Sequence, residues 1–420
     1  MSGLTRSWVE SANSPSTPFP LNNLPYGVFS VGNRTPRCGV AIGEMILDLA
    51  QAESEGLLNT DNISFLNCST WNHFMAAGED LWLLLRGQIT DILSDTAIAR
   101  ADLLVRQSNC KMHMPFVVAE FTDFYASKSH ATNVGTMFRG AENALPRNWL
   151  HIPIGYNGRA SSVVVSGTDI VRPCGQLVEP GADAPIFGPS QRLDIELELG
   201  AVIGGSNRMG SPVTVQEADD MIFGYLLLND WSARDIQSWE YQPLGPFQAK
   251  AFATSISPWV VTKAALEQFR VSTPQREKEL LSYLHEPSPM LYDIELSVEM
   301  SPSGKAATTI SHTNYREMYY SSAQQIAHHA SSGCPMRPGD LVGSGTVSGP
   351  GREQRGSLLE LTWDGEEPLR LDTGERRTFV EDGDTLTLSG WAQGDGFRVG
   401  FGECTNSVVP ADREFVGKLR

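Results

Sequence analysis

The sequence predicts a mainly β protein of the α+β class, divided into a small N-terminal domain (1–118) and a large second domain (119–420). Its 420 residues are too many for one ordinary domain and suit two. Short β-branched and alternating runs recur along most of the chain, and 39 glycines and 25 prolines are scattered between them as turn formers. Hydrophobic residues make up 41 %, enough to bury a sizeable core.

In chain order, Met1 to Pro20 is polar and rich in Ser and Pro, and reads as a loose arm. Tyr26-Gly-Val-Phe-Ser and Cys38-Gly-Val-Ala-Ile-Gly-Glu-Met-Ile-Leu read as strands joined by the turn Gly32-Asn33-Arg34. Residues 70–106 favour helix, since Trp71, Phe74, Met75, Leu81, Leu84 and Leu85 recur at three and four. Beyond Val117 strands dominate: Ser162-Val-Val-Val-Ser, Ile294-Glu-Leu-Ser-Val, Leu358-Leu-Glu-Leu-Thr-Trp and Asp384-Thr-Leu-Thr-Leu-Ser. Helices are expected at 214–222, capped by Thr214 and Glu217, and at 315–331.

Composition excludes several functions. The net charge is −17 with no dense run of Lys or Arg, which argues against a nucleic-acid partner. No apolar stretch approaches the roughly 20 residues of a membrane span, and the N-terminus lacks a signal-peptide core. Six dispersed cysteines read as free thiols in a reducing, cytoplasmic setting, so the sequons at Asn62 and Asn67 should be silent. An anionic substrate on so acidic a chain would need local cations.

Four places could carry chemistry. In Asp194-Ile-Glu-Leu-Glu-Leu, strand alternation puts Glu196 and Glu198 on one face, either as hard-cation ligands or as a solvated polar face. Met221 to Asn229 is long and apolar enough for a buried strand, and it delivers Asp230 partly desolvated at its end. Ser232 and Asp235 suggest a second capping box, opening a helix with Arg234, Gln237 and Tyr241 on one face. Asp123 could be a further metal ligand, and His130 is the best general base in the chain. Glu360, amid leucines, is either an edge-strand carboxylate or a buried, partnered one; nothing in the sequence brings it to His130. His328 and His329 are adjacent on one helix and do not make a ligand pair. The glycine-dense stretch Pro338 to Gly349 lacks a P-loop ending, and no Gly-x-Ser-x-Gly elbow occurs.

Thr122-Asp-Phe-Tyr, His130-Ala-Thr-Asn-Val-Gly, Phe138-Arg-Gly, Asn229-Asp-Trp-Ser-Ala-Arg-Asp-Ile-Gln, Pro243-Leu-Gly-Pro-Phe and Gln393-Gly-Asp-Gly-Phe-Arg-Val-Gly-Phe-Gly together resemble the fumarylacetoacetate hydrolase family, in register from about Leu21 to Pro410. The resemblance implies an N-terminal SH3-like barrel, a C-terminal β-roll and a homodimer. It implies hydrolysis of a carbon–carbon bond in a small diketo acid, fumarylacetoacetate giving fumarate and acetoacetate, in tyrosine and phenylalanine breakdown. Asp123, Glu196, Glu198 and Asp230 match the ligands of a divalent ion, Ca²⁺ or else Mg²⁺ or Mn²⁺. Asp230, Lys250 and Thr254 match a second, structural Mg²⁺ site. His130 and Glu360 match a water-activating dyad, with Arg234, Gln237 and Lys250 as further catalytic groups. Tyr125, Arg139, Tyr156, Gln237, Tyr241 and Thr346 match substrate contacts. Asn157 and Ala141 depart from the family's usual His and Lys, which leaves open a related hydrolase, decarboxylase or tautomerase of another acylpyruvate or 1,3-diketone. A non-catalytic binding protein would have no need of four carboxylates, His, Lys and Arg in one set.

Overall fold

The computed structural model describes residues 3–60, 63–179 and 181–412. The fold is mixed α+β and mainly β, built on one eight-stranded sheet and two five-stranded ones, one of them N-terminal. The sequon at Asn62 lies outside the described residues.

The N-terminal sheet has five antiparallel strands in the order Leu104–Arg106, Met45–Asp48, Arg37–Ile42, Tyr26–Ser30 and Lys111–His113. Helix formation in 70–106 stops at Leu93, at the end of Glu79–Leu93, and the tail returns as a strand. The expected arm is instead packed. Ala12 and Phe19 are buried, Ser7 donates to Leu93 O (2.6 Å), and Asn23 donates to both Pro18 O and Gly400 O (2.8 and 2.7 Å). Ser and Asn side chains satisfy the backbone there, so polarity disguised an ordered segment.

The eight-stranded sheet runs Gly155–Asn157, Phe121–Phe124, Leu341–Gly343, Leu197–Ile203, Ile222–Asp230, Thr254–Ile256 and Val163–Val165, with Val261–Thr262 paired to Ile222–Asp230 off this path. A five-stranded sheet (Thr308–Asn314, Glu295–Ser301, Thr385–Gln393, Arg398–Val409, Ile170–Val171) packs on it. Leu197, Leu199 and Leu227 from the first and Leu296, Val298 and Leu388 from the second share one buried core. All nine residues of Ile222–Asp230 are buried, so its apolar run is the central strand that length and composition predicted.

Three local expectations fail for physical reasons. Leu358–Leu361 is a short helix, not a strand: Leu358, Leu359 and Leu361 are all buried, and its first three N–H groups are taken by Asp194 and Ser357 side chains. Ser232 does not cap Arg234–Glu240, because its hydroxyl donates to Asp230 O while Asp235 accepts from Ser190 and Gln191. In 315–331 only Ser322–Ala330 is α-helical, started by a capping box of Ser321 and Gln324. The Thr214–Glu217 box forms as expected.

Candidate active site

Adjacent strands of the eight-stranded sheet bring carboxylates to one point. Asp123 lies in Phe121–Phe124, Glu198 in Leu197–Ile203 and Asp230 at the end of Ile222–Asp230, while Glu196 stands just before its strand with its N–H donating to Asn229 Oδ1 (3.0 Å). One oxygen from each of the four lies within 4.8 Å of the others, and all four residues are buried. Between the Asp123 and Glu198 strands runs Leu341–Gly343, with Gly343 opposite Asp123. A Cβ on Gly343 would stand 2.4 Å from Asp123 Oδ1 and 3.0 Å from Glu198 Oε2, so the missing side chain is what lets the two carboxylates meet. Gly343→Ala is expected to weaken binding of a divalent ion at this cluster on the order of tenfold, as loss of support beside metal ligands does; titration calorimetry with calcium, magnesium and manganese checks it.

The cluster is electrostatically lopsided. Lys250 Nζ donates to Asp230 Oδ2 (2.6 Å) and to Glu196, and Arg234 Nη2 donates to Glu196 Oε1 (2.7 Å). Burial alone would raise the Glu196 carboxyl, but Lys250 and Arg234 hold it at about 2. On the other side Lys250 acts only at a distance, and among the described residues no side-chain cation pairs with Asp123 or Glu198. Burial and the neighbouring Asp230 push Asp123 up to about 8, and burial and Asp123 push Glu198 well above the usual range. Glu198 Oε1 is buried without a hydrogen-bond partner. An orphaned oxygen among raised carboxylates fits a missing positive charge, and an all-oxygen donor set suits a hard divalent ion.

Beside the cluster, His130 sits in the first turn of Lys128–Arg139, which Ser127 caps by accepting the His130 N–H. His130 Nδ1 is 2.7 Å from Glu360 Oε2. An ionised carboxylate can only accept, so Nδ1 carries a proton, and in the neutral imidazole the lone pair falls on Nε2. Burial would raise the Glu360 carboxyl, but His130 and the bonds from Asn133 and Ser357 hold it below its usual value.

His130, Asp123, Glu196, Arg234, Gln237 and Lys250 line one cavity of about 380 Å³, together with Tyr125, Arg139, Tyr156, Tyr241 and Thr346. Arg234 Nη1 donates to Gln237 Oε1 (3.0 Å), which leaves the Gln237 amide N–H groups to donate. Arg139 anchors through Nη2 on Ala144 O (2.7 Å). Tyr156 O–H donates to Asp230 Oδ2 (3.0 Å), and Thr346 Oγ1 is buried without a partner. Thr254 lies behind the cavity, donating to Asp230 Oδ1 (2.8 Å). His328 and His329 bond Tyr283 and Thr122 instead, away from the cluster.

Sequence reasoning missed the groups that hold these residues. Asn133, Ser348 and Ser357 all donate to the Glu360 carboxylate (2.8–2.9 Å). Asn133 was within reach, being three residues beyond His130 on the same helix face. Ser348, Ser357 and Gly343 carried no such signal.

The fold and the site together define a class: α+β proteins in which an all-oxygen cradle able to hold a metal ion opens on a cavity that a glutamate-bonded histidine also lines. Comparison with known proteins narrows it. Residues 22–115 match the fumarylacetoacetase N-terminal model and residues 120–409 the fumarylacetoacetate (FAA) hydrolase C-terminal model. Curated fumarylacetoacetases of Arabidopsis thaliana and Homo sapiens are 48 % and 47 % identical, each over 94 % of this chain and 96 % of its own length. That of Dictyostelium discoideum is 45 % identical over 98 % of this chain and 99 % of its own. Among solved structures, a fumarylacetoacetate hydrolase from Exiguobacterium antarcticum shares the fold at TM-score 0.52 and 17 % identity, covering 93 % of this chain and all of its own. The chain belongs to the fumarylacetoacetate hydrolase family.

Proposed function

We propose that this protein hydrolyses fumarylacetoacetate to fumarate and acetoacetate, a step of tyrosine and phenylalanine breakdown. The observation that carries the reading is one cavity lined by His130, which bonds Glu360 behind it, and by Asp123 and Glu196 of the four-carboxylate cradle, in a chain nearly half identical to curated fumarylacetoacetases. Asp123, Glu196, Glu198 and Asp230 would hold the ion, which we read as Ca²⁺, with Mg²⁺ or Mn²⁺ as substitutes. When bound, it supplies Lewis-acid polarisation of a ketone and a template for the substrate.

The chain's own groups do the rest. His130 Nε2 takes a proton from water, and Glu360 stabilises the imidazolium. The hydroxide oxygen bonds to the ketone carbon of the fumaryl group, the one attached to its double bond. Gln237 and Arg139 donate to the oxygen that gains charge. The carbon–carbon bond breaks, its electron pair leaves on the acetoacetate carbon as an enolate, and protonation of that carbon ends the step. Lys250 and Arg234 supply positive charge to an acidic chain at the one place an anionic substrate needs it. Tyr125, Tyr156, Tyr241 and Thr346 contact the substrate.

The same reading includes a structural Mg²⁺ beside Asp230 and Thr254. The Lys250 ammonium, itself a cation bound to Asp230, leaves only its backbone carbonyl to ligate there. It also includes an SH3-like barrel, a β-roll, a cytoplasmic homodimer and no nucleic-acid or membrane partner. Free cysteines and the exposed apolar Ile186, Trp239 and Phe247 support the compartment and the dimer.

The test is release of fumarate from fumarylacetoacetate by the purified chain supplied with calcium, magnesium or manganese. Cleavage of another acylpyruvate instead would remove the substrate and keep the reaction class. No cleavage of either would remove both.

A further inference from the structure

Asp194 is fully buried beside the site and belongs to neither the cradle nor the dyad. Its carboxylate makes four hydrogen bonds. Oδ1 accepts from Ile195 N (2.8 Å) and Leu358 N (2.7 Å), and Oδ2 accepts from Leu359 N (3.0 Å) and Arg234 Nε (2.8 Å). Leu358 and Leu359 open the short helix that carries Glu360. Arg234 in turn holds Glu196 of the cradle and Gln237 of the cavity. One carboxylate therefore joins the segment bearing the base's partner to the segment bearing a metal ligand, though these come from chain positions far apart.

We infer that Asp194 is a positioning residue that couples the metal cradle to the His130–Glu360 pair. Two acceptor oxygens, each serving two donors in fixed directions, leave little freedom for either side to shift alone. An ion that fixes Glu196 therefore also fixes Arg234, Asp194 and the first turn beneath Glu360. Asparagine cannot replace it: an amide has one acceptor oxygen, and its NH₂ would face another donor.

The first measurement needs neither substrate nor mutation: it rests on the proposed ion cradle, with calcium binding established by calorimetry on the same sample, and only the kinetic arm rests on the proposed hydrolysis. Adding calcium to the wild-type chain is expected to slow hydrogen exchange of the Leu358 and Leu359 amides by more than about threefold, with the amides of helix Glu79–Leu93 unchanged. No slowing, or equal slowing of both, overturns the coupling. In the kinetic arm, folded Asp194→Asn is expected to lose on the order of 10²-fold in kcat with little change in KM, as a small misplacement of catalytic groups does. In a Glu360→Gln background the same substitution should cost far less, because its target is already disabled. Wild-type kcat in Asp194→Asn, or losses that multiply in full, refutes the role. If Asp194→Asn fails to fold, the exchange result alone settles it.

Discussion

Replacing His130 by alanine is expected to lower kcat for fumarylacetoacetate by about 10²–10⁴-fold, the range that a general base supplies. KM should move little, because in the proposed mechanism the imidazole acts on water rather than on substrate. Calcium affinity should also hold, since His130 is not among the four clustered carboxylates. Glu360→Gln should fall short of that loss: its one amide oxygen can still accept from Nδ1, Ser348 and Ser357, but it cannot stabilise an imidazolium, and its NH₂ replaces the oxygen to which Asn133 donates. Steady-state kinetics with calorimetry separates these outcomes. A His130→Ala variant that turns over normally removes the mechanism.

Chelation should have the second large effect. Turnover is expected to stop in EDTA and to return with a divalent ion. The apo-protein should also become pH-sensitive in a particular direction. The Asp123 carboxyl titrates at its ordinary 3.8 when unfolded and at about 8 when folded, because burial and then Asp230 disfavour its charge. Between those values the folded state holds more protons than the unfolded one, so stability falls as pH rises. The melting temperature of chelated protein should therefore drop from about pH 6 to about pH 8, and calcium should raise it more at the upper end, since binding displaces those protons. A calcium effect that shrinks with rising pH would contradict the assignment of the raised groups. Differential scanning fluorimetry in EDTA and in calcium reads both.

Much of this site was legible as residue types and little of it as an assembly. The run from Met221 to Asp230 declared itself, because only a buried central strand keeps so many apolar residues together and ends in a carboxylate. Alternation put Glu196 and Glu198 in view, but Glu196 lies in the gap between two strands, where alternation says nothing. Arg234, Gln237 and Tyr241 reached one cavity as helical spacing required, although the expected cap was not the one used. Of the two readings open for Glu360 the buried, partnered one holds, but the run around it is helix rather than strand, because three buried leucines around one acid look alike in either period and the deciding groups, Asp194 and Ser357, come from elsewhere. Gly343 matters through the atoms it lacks, which no pattern of side chains announces.

The bonds from Pro18 and Asn23 to Gly400 have a consequence for how the chain is made. The Asn23–Gly400 bond spans 377 positions, and Gly400 N also donates to Pro18 O. A ribosome exposes the first partner long before it delivers the last. Closing so distant a pair adds loop entropy to the folding barrier and slows the reaction relative to folds built from local contacts. During synthesis the N-terminal segment waits without its final partner, and its buried Phe19 waits for Trp259, the ring it packs against. Such a chain is most exposed to aggregation just before release, the interval in which chaperones act.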